Sequence, residues 1–212
     1  MKTAAKFLAA LPASLFLTAL ASIPSQAGSL TYATKVESYT MGTGSVAIDR
    51  RIVNEALGAP QLNYDSNQDF LSLGFGGELI LSFGTLFSDK VTVWETTWGA
   101  KSSQSAYDER AKVYVGNSLT GDWRFIGSIL NIANNAYRSA DGASLSIGDS
   151  NTYRYVRLVD DSPFSRDRDG FDVNAVSVQA AAVPEPTTMA GLALAGAGMA
   201  AARRKQQRKT SA

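Results

Sequence analysis

The chain has 212 residues, with 20 Lys and Arg against 19 Asp and Glu, a formal net charge of +1, and neither His nor Cys. Those absences exclude disulfides, a Ser-His-Asp triad, a Cys-His pair and a His-ligated zinc. Carboxylate, Ser-Lys and hard-metal chemistry remain.

The chain opens with Lys2 and Lys6, followed by a mostly apolar run from Phe7 to Ile23 that Pro12 interrupts. Ser25-Gln26-Ala27 puts small residues at the two positions a signal peptidase reads. Residues 1–27 are therefore predicted to be a signal peptide, cleaved after Ala27. Residues 28–182 form the next unit, long enough for one domain with a real core. Two basic residues fall in the leader and five in the C-terminal tail, where Glu185 is the only acid. The domain thus carries 13 basic and 18 acidic residues, a net charge of −5. No basic patch survives, which argues against a nucleic-acid partner.

Within the domain, short apolar-alternating runs follow one another. Tyr32 to Tyr39 comes first. Phe70 to Phe75 and Glu78 to Phe83 flank Gly76-Gly77 and read as a hairpin. Next come Lys90 to Glu95, Lys112 to Val115, Trp123 to Ile126, Arg154 to Val159 and Phe171 to Val178. Only Ile129 to Ala136 offers a 3.6-residue apolar period, and the polar, Ser-rich stretch Asn134 to Thr152 reads as a long loop. The pattern predicts an all-β sandwich or jelly roll.

The tail begins Val183-Pro184-Glu185-Pro186. Thr187 to Ala202 is uncharged, and Arg203, Arg204, Lys205, Arg208 and Lys209 follow. As a helix, residues 187–202 reach about 24 Å, short of a bilayer core of about 30 Å. The basic cluster would hold the extreme C-terminus in the cytoplasm. A Pro-Glu-Pro triplet, a weak apolar helix and a basic stop, over residues 183–209, resemble the PEP-CTERM sorting signal of Gram-negative bacteria. The resemblance implies transient membrane anchoring and processing near Pro184, Glu185 and Pro186 by an exosortase-type protease. It also implies delivery to the cell surface or its exopolysaccharide.

Six further stretches occur in order: "ALGAP" (56–60), "FLSLGFGGELILSFG" (70–84), "VTVWETTWG" (91–99), "AKVYVGNSLTGDWRFIGS" (111–128), "YRYVRLVDDS" (153–162) and "DGFDVNAVSV" (169–178). Together they resemble the discoidin, or galactose-binding-like, jelly roll. That resemblance implies an eight-stranded β-sandwich that binds sugars or cell-surface ligands and is not itself catalytic. It also implies a structural Ca²⁺ held by late-strand acids and early-loop carbonyls.

Candidate residues follow. Trp98, at a strand end beside a polar loop, and Tyr107 are candidate sugar contacts, because a pyranose C–H face packs on an aromatic ring. Trp123, which follows a turn, reads as packing. Glu95 shares strand parity with Val91 and Val93 and needs a partner at the core rim; Arg110 or Arg157 could supply an ion pair. Asp169, Asp172 and Asn174, with Glu55 and Asp65 from earlier loops, are candidate calcium ligands, since Ca²⁺ takes six to eight oxygens. The same acids could instead pair with Arg154, Arg166 or Arg168. The expectation is an exported, non-catalytic module that binds carbohydrate or matrix. A purely structural matrix protein and a carboxylate-based glycan hydrolase are the alternatives.

Overall fold

Alternation of apolar residues builds the architecture. The computed structural model describes residues 28–61, 69–97, 103–137 and 139–181. Nine strands lie among them: β1 (Leu30–Tyr32), β2 (Lys35–Thr40), β3 (Leu71–Ser72), β4 (Glu78–Glu95), β5 (Arg110–Gly116), β6 (Arg124–Leu130), β7 (Ala143–Ser146), β8 (Tyr153–Asp160) and β9 (Asp172–Ala180). In β5, Ala111, Val113 and Val115 are buried while Lys112 and Tyr114 face outward, the two-residue period of a half-buried strand.

The 18-residue β4 organises the sandwich. Its first half pairs with β2 and β8, and β8 continues through β5 to β6. Its second half pairs with β7 and β9. The switch falls between Gly84 (φ 69°) and Asp89 (φ 73°), where Gly84, Thr85 and Leu86 are exposed. The two runs 78–83 and 90–95 are thus parts of one bent strand. Inward side chains from both halves (Leu79, Leu81, Val113 and Leu158; Val91, Val93, Val173 and Val176) join one apolar core. Each fully buried Val or Leu contributes about 1.5–3 kcal/mol. This is an all-β jelly-roll sandwich, as the sequence pattern predicts. β1 pairs with β9, so the first and last strands lie side by side.

Three local readings differ. The 70–83 hairpin does not form. Leu71 and Ser72 pair with Val173 and Asp172 of β9, and a turn closed by Gly77 N–H to Gly74 C=O (3.0 Å) carries the chain away. Positive φ at Gly74 and Gly76 sends it across the layers. The stretch 134–152 is not all loop: β7 lies in it, with Ala143 paired to Val93 and Leu145 to Val91. Ile129 and Leu130 complete β6, and residues 131–135 are turns rather than a helix.

The charged segment between β8 and β9 is pinned by Asp160. Its buried carboxylate accepts the N–H groups of Gly76 (2.9 Å) and Phe171 (2.8 Å) and the Ser162 hydroxyl (2.6 Å). Those bonds fix where β9 begins.

Candidate functional site

Three acids converge where β4 ends and where β5 and β9 begin. A register shift between Trp94 and Glu95 brings Glu95 opposite Val173, and the Thr96 N–H reaches the Asp172 carbonyl at 3.2 Å. Glu109 stands one residue before β5. One carboxylate oxygen from each of Glu95, Glu109 and Asp172 lies within 4.8 Å of the other two. The residues are 1%, 0% and 2% exposed.

Asn131 and Thr97 frame this group. Thr97 Oγ1 donates to the Glu95 carboxylate, with its two oxygens 2.9 and 2.7 Å away, and accepts from Asn131 Nδ2 at 2.8 Å. Asn131 also grips the Glu109 backbone: its N–H donates to the Glu109 carbonyl at 3.0 Å, and its Oδ1 accepts the Glu109 N–H at 3.4 Å. No neutral donor among the described residues reaches either carboxylate oxygen of Glu109 or Oδ1 of Asp172; Glu95 and Glu109 lie within hydrogen-bond reach of each other, so a proton on one can bridge the two.

Burial pushes all three carboxyl groups well above the usual range. For Glu95 the charge of Asp172 adds to burial, and the Thr97 hydroxyl opposes it. For Glu109 the charge of Glu95 adds, and Arg168 opposes. For Asp172 the charges of Glu109 and Asp169 add, and Ser72 and Arg50 oppose. Without a cation, such a cluster holds protons.

The structure distributes the sequence candidates unevenly. Asp172 belongs to the cluster. Asn174 lies two residues on, but its amide is committed elsewhere: Oδ1 accepts the Gln61 N–H (2.8 Å), and Nδ2 donates to the Gln61 carbonyl and Thr96 Oγ1 (both 2.9 Å). Asp169 pairs with Arg50 at 3.0 Å. Glu55 lies on the 3-10 turn Val53–Ala56 and is not among the three clustered acids. Glu95, Glu109 and Asp172 present hard oxygen donors of the kind that suit Ca²⁺. Glu95 has neither expected arginine: Arg157 pairs with Glu78, and Arg110 lies against Asp108 and Asp161. Tyr107 borders the cluster. Burial, then the charge of Glu109, pushes its phenol pKa up, and the Arg168 guanidinium lies 5.4 Å from its ring centre. Trp98, Asp65 and the tail residues Pro184, Glu185, Pro186, Arg203, Arg204 and Lys205 lie outside the described residues.

Glu109 escapes the sequence reading. Asp108-Glu109-Arg110 looks like a solvated turn. The available signal is parity, because Glu109 continues the core face of Ala111, Val113 and Val115.

A second feature lies on the outer face of the β4–β8–β5–β6 layer. Tyr114 is paired in register with Phe125 on one side and Arg157 on the other. Phe125 is 51% exposed, and its ring centre lies 5.3 Å from that of Tyr114. The Arg157 guanidinium sits 5.4 Å from the Tyr114 ring centre and 5.7 Å from that of Trp123. Trp123 itself packs on Gly116, where an added Cβ would fall 2.8 Å from its ring.

Residues 182–205 match the family described as the PEP-CTERM protein-sorting motif. The chain carries a PEP-CTERM sorting signal. That signal marks an exported, exosortase-processed surface protein. Among the described residues no helix is long and apolar enough to cross a membrane, and the apolar run 187–202 lies outside them. No curated protein matches this chain.

Solved structures of similar shape include the CBM32 of AlyQ in complex with 4,5-unsaturated mannuronic acid. It is 13% identical, with 70% of this chain and 98% of that one covered and a TM-score of 0.41. CBM32-3 from a family 31 glycoside hydrolase of Clostridium perfringens is 10% identical, with 71% and 90% covered and a TM-score of 0.39. Reduced XRCC1 bound to the DNA polymerase β catalytic domain is 11% identical, with 73% and 100% covered and a TM-score of 0.44. At these values no ligand transfers to this chain.

Proposed function

We propose that the chain is delivered to the surface of a Gram-negative cell, where its sandwich binds exopolysaccharide or another surface glycan without catalysing a reaction. The sorting motif at 182–205 carries this reading, because delivery to the cell surface would bring the sandwich to polymers abundant there. The row Phe125–Tyr114–Arg157 supports the binding half. An exposed ring offers a stacking face for a pyranose, and a guanidinium beside it offers donors to hydroxyl or carboxylate groups. A hydrolytic role is disfavoured by burial: the clustered acids are at most 2% exposed, too enclosed for a sugar ring.

A shallow face implies weak affinity, millimolar to micromolar, roughly −4 to −8 kcal/mol. Affinity electrophoresis of residues 28–181 through gels containing the cell's own exopolysaccharide tests the site. Phe125→Ala should reduce retardation several-fold while leaving the melting temperature within a few degrees. Equal retardation of wild type and Phe125→Ala would contradict this placement.

A further inference from the structure

We propose that Glu95, Glu109 and Asp172 form a buried binding site for a hard divalent cation of the calcium class, distinct from the loop that Asn174 fastens. Two oxygens bound to one Ca²⁺ at about 2.3–2.6 Å can be at most about 4.6–5.2 Å apart. The three carboxylates meet that limit, with one oxygen from each within 4.8 Å of the others. The unpartnered oxygens point to the same conclusion independently. Both oxygens of Glu109 and Oδ1 of Asp172 are fully buried and lack neutral donors among the described residues. Buried polar atoms in native proteins nearly always have a partner; a proton shared by Glu95 and Glu109 satisfies only part of the set, and with the three groups ionised the remaining oxygens need a cation.

Among the described residues the surrounding charges do not supply one. Arg50 pairs with Asp169 at 3.0 Å. Arg168 donates to the Asp108 carbonyl at 2.7 Å and lies over Tyr107. Thr97 supplies one hydroxyl, and it serves Glu95. Three acids with so little compensation repel one another in a medium that screens poorly, and a divalent ion would offset most of that charge. The donors are all oxygen, and the sequence has no His or Cys, so hard cations are favoured over zinc or copper. The acids come from three strand ends, β4, β5 and β9, so the ion would fasten both layers at one end of the sandwich. This inference stands independently of glycan binding.

Thermal melts of residues 28–181 at pH 8 test it, in EDTA and in a calcium series. The wild type should melt about 5–10 °C higher at a hundred times Kd, and Mg²⁺ should act more weakly. Glu109→Gln and Asp172→Asn should each fold, as judged by circular dichroism, and each should lose most of the calcium-dependent rise. Tb³⁺ should give luminescence sensitised through Tyr107, lost in Tyr107→Phe only to the extent that other aromatic side chains do not contribute, and lost in Glu109→Gln entirely. Identical wild-type melts in calcium and EDTA, without Tb³⁺ luminescence, would overturn the proposal. A calcium response that survives in both acid variants would overturn its location. If both variants fail to fold, Tb³⁺ titration of the wild type decides, with saturation at one ion per chain expected and no saturable signal contradicting the site.

Discussion

Asn174 separates two accounts of the region around β9. Its side chain is 3% exposed and makes three hydrogen bonds, two to the Gln61 backbone and one to Thr96. Asn174→Ala removes all three. At about 0.5–1.5 kcal/mol net for each bond, the loss is about 3 kcal/mol. Each kcal/mol shifts Tm by about 2–4 °C in a domain of this size, so Tm should fall by about 6–12 °C. Asn174→Asp is the sharper test. It keeps the shape but replaces the Nδ2 donor with an oxygen facing the Gln61 carbonyl, so it too should destabilise. If Asn174 were instead a calcium ligand, a carboxylate there would strengthen binding and raise Tm in calcium. Scanning calorimetry of wild type and both variants, with calcium and with EDTA, decides the matter. An Asn174→Asp domain as stable as wild type in EDTA, or more stable in calcium, would refute the reasoning.

Two further outcomes follow from the same structure. In the metal-free protein, Glu95, Glu109 and Asp172 hold protons above their ordinary range, so the native state binds more protons than the unfolded chain above pH about 4. Stability in EDTA should therefore fall as pH rises from 5 to 8. The oppositely shifted Glu37 and Asp149 act only at lower pH; a Tm in EDTA that rises from pH 5 to 8 would contradict the cluster. For the tail, intact-mass measurement of surface protein should show a chain ending near Pro184–Pro186 and lacking Arg203, Arg204 and Lys205, and a chain running through Ala212 would contradict exosortase processing.

The strands were legible because alternation is local. Ala111, Val113 and Val115 point inward whatever β5 pairs with. Pairing was less legible. Phe70 to Phe83 has the turn glycines of a hairpin, yet β3 joins β9 because positive φ at Gly74 and Gly76 sends the chain between layers. The short β7 was hidden by its serines, since an edge strand needs only Ala143 and Leu145 to meet the core. The acid cluster was partly legible. Asp172 stands out in its charged run, and Glu95 puts an acid on the core parity of Val91 and Val93. Their meeting with Glu109 depends on three strand ends converging, which no local spacing encodes. The basic partners expected for Glu95 failed for the same reason: Arg157 faces the outer surface with Tyr114, on the opposite side of the layer from the core.

The claim that this chain is a surface-delivered glycan-binding module is tested most directly by equilibrium titration. Residues 28–181 would be titrated calorimetrically with polysaccharide isolated from the surface of the producing cell. The account predicts saturable binding with a Kd between about 1 μM and 1 mM, weakened several-fold by Phe125→Ala. No heat of binding at millimolar saccharide, from a domain shown to be folded in the same buffer, would contradict it.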